Sequence, residues 1–182
     1  MKKYNCIFLD RDGTLNPDPP PGYIRSLKDF KFFDGALTAL KRLSDQGNVF
    51  CIITNQSGLS RGLIRFEDLE VIHNYIREQF KKYSIPLLGI YFCNDHPNKP
   101  TLRRKPNSGM FMEAKKKHNL DLEKCLMVGD SKVDILAGSN LGMDTMLVLT
   151  GNGNKTLDLL AKDSQPSFIV EDLNQGADIL CD

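Results

Sequence analysis

Two aspartates that stand two residues apart are the first feature of the sequence that could do chemistry. Asp10 and Asp12 follow a short apolar run and precede a Gly-Thr pair. If the extended geometry of the run continues, their side chains point to the same side of the chain. Two close carboxylates repel each other unless a cation or a proton lies between them. A third carboxylate, Asp130, follows a later apolar run, and hard oxygen ligands of this kind suit Mg²⁺.

A second group of polar residues has the chemistry needed to hold a phosphoryl group. Thr54 offers a hydroxyl, Asn55 offers an amide N–H, and Lys105 offers a positive charge. Against a phosphate held in this way, Asp10 is placed to attack phosphorus and form an aspartyl-phosphate. Asp12 would protonate the leaving oxygen and then take a proton from the water that hydrolyses the intermediate.

Short apolar runs alternate with amphipathic stretches, and this alternation predicts the elements that position these residues. Strands are predicted at Tyr4–Leu9, Val49–Ile53, Leu88–Phe92, Leu126–Val128, Thr145–Leu149 and Ser167–Val170. Helices are predicted from Ala36 to a stop at Gly47, over Phe66–Tyr83 and Gly109–His118, and after Asp130, Asn154 and the N-cap Asp172. Nearly every strand residue is apolar, which indicates a parallel sheet covered on both faces and a doubly wound α/β fold. In such a fold, ligands bind outside the carboxyl ends of the strands, where the polar clusters fall.

The composition excludes several classes of protein. The chain has 182 residues, 41% of them hydrophobic, which suits one soluble domain over residues 1–182. Lys and Arg number 24 against 23 Asp and Glu, a balance that argues against nucleic-acid and membrane partners. Five widely spaced cysteines and a start without a signal peptide favour a reducing, cytoplasmic compartment. His73 and His118 stand among polar residues on predicted helices, so we expect both to be exposed.

Four motifs in a fixed order resemble those of the haloacid dehalogenase superfamily of phosphatases. They are Asp10-x-Asp12-Gly-Thr, Thr54, Lys105-Pro106 and Gly129-Asp130-x-x-x-Asp134, and together they span nearly the whole chain. Within that superfamily, the stretches FLDRDGTLN, GYI, TNQSGLSRG and RRKPNSGM look like those of one group. It is the group of D-glycero-D-manno-heptose 1,7-bisphosphate phosphatases and histidinol-phosphatases.

The resemblance implies a Rossmann-like core with a minimal cap of short loops, and cytosolic hydrolysis of a small phosphate ester. It places the nucleophile at Asp10 and the acid/base at Asp12. It implies that magnesium is held by Asp10, the backbone carbonyl of Asp12 and Asp130. The residues that it places around the phosphoryl group and the rest of the substrate are Thr54, Lys105, Asn55, Ser57 and Arg104.

The sequence departs from the pattern of this group at three places. Many members carry a zinc loop of the form CxH…CxC, but this chain has Cys93-Asn-Asp-His96 and then Thr101-Leu-Arg103. Two remaining ligands cannot close a four-ligand site, so we predict no structural zinc. Ser131 replaces a lysine that commonly follows the aspartate, and Lys132, one position later, points elsewhere. The loop Asn16–Gly22, with the sequence NPDPPPG, is longer than the usual form and is either a stiff surface turn or a substrate contact.

These residues favour a Mg²⁺-dependent phosphomonoesterase that acts, as a monomer, on a phosphorylated sugar. The reaction class follows from the residues, whereas the sugar, D-glycero-D-manno-heptose 1,7-bisphosphate, rests on the resemblance. Histidinol-phosphate phosphatase is the nearest alternative. Less favoured are a polynucleotide 3′-phosphatase, because the net charge is near zero, and a noncatalytic phospho-ligand-binding module, because both carboxylates of the first motif are present.

Overall fold

Strands and helices alternate along the chain, as the hydrophobic pattern predicts. A computed structural model describes residues 3–18, 22–160 and 165–181. The strands are β1 (Cys6–Leu9), β2 (Phe50–Asn55), β3 (Leu87–Cys93), β4 (Cys125–Gly129), β5 (Asp144–Val148) and β6 (Phe168–Val170). The α-helices are α1 (Ala36–Asp45), α2 (Phe66–Lys82), α3 (Gly109–His118), α4 (Lys132–Asn140), α5 (Gly153–Leu159) and α6 (Leu173–Cys181). All six predicted strands and all six predicted helices are present, with ends close to those predicted.

The six strands form one parallel sheet in the order β3-β2-β1-β4-β5-β6. The chain moves outward from β1 through β2 to β3, and then returns to the other side of β1 and continues through β4 to β6. Neighbouring loops therefore diverge at the carboxyl ends of β1 and β4, which is the switch point where ligands bind in folds of this kind. The predicted doubly wound, Rossmann-like α/β fold is confirmed.

Helices cover both faces of the sheet, and successive strand residues point to opposite faces. In β1, Ile7 and Leu9 pack with the layer that contains α1, α2 and α6, whereas Cys6 and Phe8 pack with α3 and α4. The central strands β1, β2 and β4 are buried along nearly their whole length because helices cover both of their faces. All five cysteines are free thiols.

Local signals account for where several elements begin and end. Asp172 Oδ1 accepts a hydrogen bond from the Gln175 N–H at 2.9 Å, so the predicted N-cap of α6 is present. Gly47 follows α1 with a φ of +82°, a left-handed conformation that favours glycine.

Of the Asn16–Gly22 loop, residues 19–21 lie outside the described residues. None of the helices within residues 3–18, 22–160 and 165–181 combines the length and the apolar character needed to cross a bilayer.

The prediction that His73 is exposed is wrong, because its side chain is fully buried on the inner face of α2. It lies one helical turn from both Leu69 and Ile76, and its ring centroid is 5.5 Å from that of Phe92. The spacing of His73 from these apolar residues therefore puts its side chain on the buried face of α2, whereas its polar neighbours in the sequence lie on the other faces of the helix. Burial, assisted by the positive charge of Arg11, lowers the pKa of His73 from 6.5 to about 3. His118 is only partly exposed, and its Nε2 lies 2.9 Å from the Tyr91 hydroxyl.

The buried imidazole predicts a loss of stability in acid. Between the folded pKa of about 3 and the ordinary value of 6.5, the unfolded chain binds a proton that the folded chain does not. The stability linked to neutral His73 is therefore complete above pH 6.5 and falls as the pH drops below it. Between pH 7 and pH 5, the wild type should lose about 2 kcal/mol more of its free energy of unfolding than His73→Gln. Urea denaturation of both proteins at both pH values measures this difference, and equal losses would refute it.

Candidate active site

A cavity of about 370 Å³ opens at the carboxyl ends of β1, β2 and β4, at the switch point of the sheet. This volume is sufficient for a small phosphorylated ligand. Seven of the eight residues predicted from the sequence line it, namely Asp10, Asp12, Thr54, Asn55, Arg104, Lys105 and Asp130. The eighth, Ser57, is not among the lining residues. Its Oγ lies 3.2 Å from the hydroxyl oxygen of Tyr23, which does line the cavity.

Lys105 joins the ends of three elements at the base of the cavity. Its Nζ donates to the carbonyl oxygen of Ile53 at 2.7 Å and lies 2.9 Å from Asp10 Oδ1 and 2.6 Å from Asp134 Oδ1. The ammonium group therefore makes one hydrogen bond and two close ion pairs. Burial alone would lower the pKa of Lys105, but the two carboxylates outweigh it and raise the pKa. The side chain accordingly stays positively charged although it is buried.

The side chain of Asn55 holds the main chain of Lys105. Its Oδ1 accepts the Lys105 N–H at 3.1 Å, and its Nδ2 donates to the Lys105 carbonyl at 3.2 Å. This reciprocal pair ties the loop before α3 to the end of β2. The amide nitrogen retains a second hydrogen and Asn55 lines the cavity, so its role as a donor to a phosphoryl oxygen stays a prediction.

Asp10 is fixed through one of its two carboxylate oxygens. Oδ1 accepts the Arg11 N–H at 2.7 Å and contacts Lys105 Nζ. Oδ2 accepts no hydrogen bond from any residue in the described ranges, so it remains available to attack an electrophile. Burial and the neighbouring carboxylates of Asp134 and Asp130 raise the pKa of Asp10 well above its ordinary value, and Lys105 only partly offsets this effect.

Carboxylate oxygens of Asp10, Asp130 and Asp134 lie within 4.8 Å of one another. Burial and the charge of Asp134 raise the pKa of Asp130 to about 7, although the Asn152 N–H donates to its Oδ2 at 2.7 Å. Three acidic groups around one ammonium leave a deficit of positive charge. A divalent cation that prefers oxygen ligands, such as Mg²⁺, fits this donor set.

Two glycines allow the chain to approach Asp130 closely enough for this arrangement. A Cβ atom on Gly13 would lie 2.1 Å from Asp130 Oδ2, and one on Gly151 would lie 2.3 Å from the same atom. Both residues have positive φ angles, +81° and +55°. Only glycine meets both requirements without strain, so the two loops pack directly against the carboxylate.

The Asp12 side chain is not part of this carboxylate group, which leaves only its backbone carbonyl as a candidate ligand. Arg11 binds it in a bidentate manner, with Nε 2.9 Å from Oδ1 and Nη2 2.7 Å from Oδ2. Asn16 Nδ2 donates to Oδ1 at 3.0 Å, and Gln56 Nε2 donates to Oδ2 at 2.8 Å. Burial by itself raises the pKa of Asp12, but Arg11 and these hydrogen bonds lower it below its ordinary value. The structure thus holds Asp12 as a carboxylate.

Comparison with known proteins places this site in a family. A model of the family described as HAD-hydrolase-like, where HAD stands for haloacid dehalogenase, matches residues 102–176. The D-glycero-beta-D-manno-heptose-1,7-bisphosphate 7-phosphatase of Helicobacter pylori is 38% identical over 157 residues, which cover 86% of this chain and 90% of that protein. The D-glycero-D-manno-heptose-1,7-bisphosphate 7-phosphatase of Thermosynechococcus vestitus is 35% identical, with 97% and 95% covered. The chain belongs to the haloacid dehalogenase-like phosphatases.

A solved structure agrees with this assignment. The D,D-heptose 1,7-bisphosphate phosphatase of B. bronchiseptica, crystallised with magnesium and phosphate, superposes with a TM-score of 0.87 at 33% identity. The superposition covers 99% of this chain and 98% of the other. The resemblance inferred from the four motifs is confirmed, and so is the expectation of an enzyme that hydrolyses phosphoric monoesters.

Several residues around the site of this phosphatase have contacts that sequence reasoning missed. Arg11 and Gln56 stand inside recognised motifs, but their side-chain contacts depend on how the chain bends after β1 and β2, which periodicity does not report. Asn152 lies in the loop between β5 and α5, and its N–H donates to Asp130. At the rim of the cavity, Arg61 Nη1 donates to the Tyr23 hydroxyl at 2.8 Å. Lys132 is exposed and does not line the cavity, in agreement with the one-residue shift noted in the sequence.

The loop after β3, where the resemblance to the group led us to look for zinc ligands, is held by hydrogen bonds in this chain. Asp95 Oδ2 accepts the Thr101 N–H at 2.6 Å, and His96 Nδ1 accepts the Asn98 N–H at 3.2 Å. Arg104 Nη1 donates to the carbonyl oxygen of Asp95 at 3.2 Å, which connects the loop to the cavity. Hydrogen bonds from polar side chains therefore order this segment. Cys93 is buried at the end of β3.

Removal of the Asn55 side chain should reduce activity much more than stability. Asn55→Ala deletes both hydrogen bonds to the Lys105 backbone, and small displacements of a charged group in an active site can lower rates about a hundredfold. We expect kcat/KM to fall by about ten- to a hundredfold, with little change in thermal midpoint. The matched control is Asn154→Ala, since Asn154 also donates to a backbone carbonyl, that of Leu149, but is exposed and outside the cavity. Full activity in Asn55→Ala would show that Lys105 is positioned by other contacts.

Proposed function

We propose that this phosphatase hydrolyses one phosphate ester of D-glycero-D-manno-heptose 1,7-bisphosphate, by way of an aspartyl-phosphate on Asp10. The observation that carries the proposal is the convergence of Asp10, Thr54, Lys105 and Asp130 on one cavity at the switch point. The choice of sugar is supported by the printed names of the relatives, which are heptose-1,7-bisphosphate 7-phosphatases. Those names also favour the phosphate at position 7.

In the first step, Asp10 Oδ2 attacks phosphorus and the bond between phosphorus and the ester oxygen breaks. Asp10 Oδ1 is held by the Arg11 N–H and by Lys105, so the carboxylate presents Oδ2 without having to reorganise. Thr54 and Lys105 contribute a hydroxyl donor and a positive charge toward the phosphoryl oxygens. Preorganised donors of this kind lower the barrier mainly by stabilising negative charge on the transferred phosphoryl group, and less by making the nucleophile more reactive.

Asp12 moves the protons of both steps. It gives a proton to the leaving sugar oxygen and then takes one from the water that attacks the aspartyl-phosphate. Its bonds to Arg11, Asn16 and Gln56 hold it ionised in the ligand-free chain, which is the state required for the second step. A phosphate ester brings negative charge into the cavity and so raises the proton affinity of this carboxyl group, as the first step requires.

Mg²⁺ would be held by the carboxylates of Asp10 and Asp130 and by the backbone carbonyl of Asp12. The cluster of Asp10, Asp130 and Asp134 supports this assignment, because three carboxylates carry more negative charge than the single ammonium of Lys105 can balance. When bound, the ion neutralises negative charge on the nucleophile and the phosphate. Asp134 is engaged by Lys105 and by the Ser131 hydroxyl at 2.5 Å, so we assign it to positioning rather than to the metal.

The retained part of the substrate would meet the mouth of the cavity. Arg104 lines the cavity and offers a planar guanidinium suited to a second phosphate. Ser57 contacts the Tyr23 hydroxyl and would act on the substrate through it.

We also propose a single domain over residues 1–182, a monomeric state, a cytoplasmic location and no nucleic-acid partner. The match of the relatives along most of the chain supports the single domain, and the near-zero net charge supports the lack of a nucleic-acid partner.

A panel of substrates tests the proposed function. Phosphate release in Mg²⁺ should be fastest with heptose 1,7-bisphosphate, and slower with histidinol phosphate and with a 3′-phosphorylated oligonucleotide. Asp10→Asn, which keeps the shape of the side chain but removes the nucleophile, should have no turnover and a native circular-dichroism spectrum. If histidinol phosphate or the oligonucleotide had the higher specificity constant, that compound would be the substrate instead of the heptose bisphosphate. Turnover by Asp10→Asn would refute the assignment of Asp10 as the nucleophile.

The changed ligand positions in the loop after β3 predict a zinc-free enzyme. Elemental analysis of the purified protein should find zinc far below one atom per chain, because Cys93 and His96 cannot form a closed tetrahedral site on their own. Dialysis against a chelator that removes zinc, followed by readdition of Mg²⁺, should leave the thermal midpoint unchanged. One tightly held zinc per chain would contradict the prediction.

A further inference from the structure

Gln56 bridges two residues that act in different steps of the proposed reaction. Its Nε2 lies 2.9 Å from Thr54 Oγ1 and 2.8 Å from Asp12 Oδ2. The residue is only 3% exposed, and its backbone N–H donates to the carbonyl oxygen of Cys93 at 2.6 Å. Its main chain is thus anchored at the end of β3 while its side chain reaches toward Asp12.

The chemistry of Asp12 fixes which end of the Gln56 amide faces it. An ionised carboxylate only accepts hydrogen bonds, and Asp12 is held in this form by its bidentate contact with the guanidinium group of Arg11. If the amide were reversed, Gln56 Oε1 and Asp12 Oδ2 would be two acceptors in contact. The amide therefore presents Nε2, and its two hydrogens go to Asp12 and to Thr54.

The contact with Gln56 determines the direction of the Thr54 hydroxyl hydrogen. A hydroxyl group has one hydrogen and two lone pairs, and one lone pair of Thr54 Oγ1 is occupied by the Gln56 N–H. No acceptor for the Thr54 hydroxyl occurs among the residues that the structure describes. Because Thr54 lines the cavity and is otherwise buried, its hydrogen is left for a ligand in the cavity.

We propose that Gln56 is a positioning residue that turns the Thr54 hydroxyl into a preset donor toward the phosphoryl group while holding Asp12 beside it. One side chain thereby sets the relative position of a phosphate-binding group and the acid/base. The inference rests on the proposed function, since it assigns a phosphoryl group to the space that Thr54 faces. Gln56 itself lines the cavity, and its amide nitrogen is already engaged by Asp12 and Thr54.

A double-mutant cycle on phosphate binding tests this role. The variants are Gln56→Met, which keeps the length of the side chain but removes both donors, and Thr54→Val, which removes the hydroxyl. The dissociation constant of inorganic phosphate is measured by calorimetry in Mg²⁺. Gln56→Met should weaken phosphate binding about tenfold when Thr54 is present and less than about twofold in the Thr54→Val background. With the heptose substrate, Gln56→Met should also lower kcat, because Asp12 loses one of its supports.

The controls separate positioning from a loss of structure. Gln175→Met removes an exposed glutamine of α6 whose Oε1 accepts the Glu171 N–H, and it should leave phosphate binding and kcat unchanged. Gln56→Leu replaces Gln56→Met in the cycle if the latter does not fold. Equal weakening of phosphate binding in both Thr54 backgrounds, or no weakening in either, would overturn the proposal. Because phosphate binding needs no turnover, the cycle tests Gln56 even if no substrate in the panel is hydrolysed.

Discussion

The buried ammonium of Lys105 is the interaction on which the site depends. It contacts Asp10 after β1, the carbonyl of Ile53 in β2 and Asp134 in α4 after β4. Each of these groups would be costly to bury alone, and the carboxylates would repel one another without a cation between them. The lysine therefore both permits three strand ends to meet and supplies the positive side of a phosphate site. Asn55 matters because it fixes the backbone from which this lysine extends.

The order of the strands in the sheet is enough to bring these charged residues close together. β1 and β4 are neighbours although about 115 residues separate them, and both carry an aspartate just past the carboxyl end. The remaining space is then closed by backbone rather than by side chains, because Gly13 and Gly151 pack directly on Asp130. A site built in this way leaves the acidic group short of positive charge. That deficit is the physical argument for the divalent cation that we propose at this site.

The sequence was sufficient for the fold and for the residues at the strand ends. Apolar runs mark the strands because they are buried on both faces, and a residue that directly follows such a run has its position set by the sheet. His73 was misplaced because its polar neighbours were given more weight than its spacing from Leu69 and Ile76. The contacts of Gln56 with Asp12 and of Asn152 with Asp130 were missed because they join segments far apart in the chain. No periodicity reports such contacts, and only the packed structure brings the partners together.

Arg11 explains how two aspartates so close in sequence come to have opposite properties. Its backbone N–H binds Asp10, but its guanidinium turns back onto Asp12 and forms a bidentate pair in a buried environment. Asp10 is thus left among other carboxylates with a raised pKa, whereas the pKa of Asp12 is lowered. A raised pKa at Asp10 opposes the ionised state that a nucleophile needs, so the proposed mechanism requires a cation beside the carboxylates to restore that state. Arg11 therefore holds Asp12 as a carboxylate and leaves the ionisation of Asp10 to the cation that the site is proposed to bind.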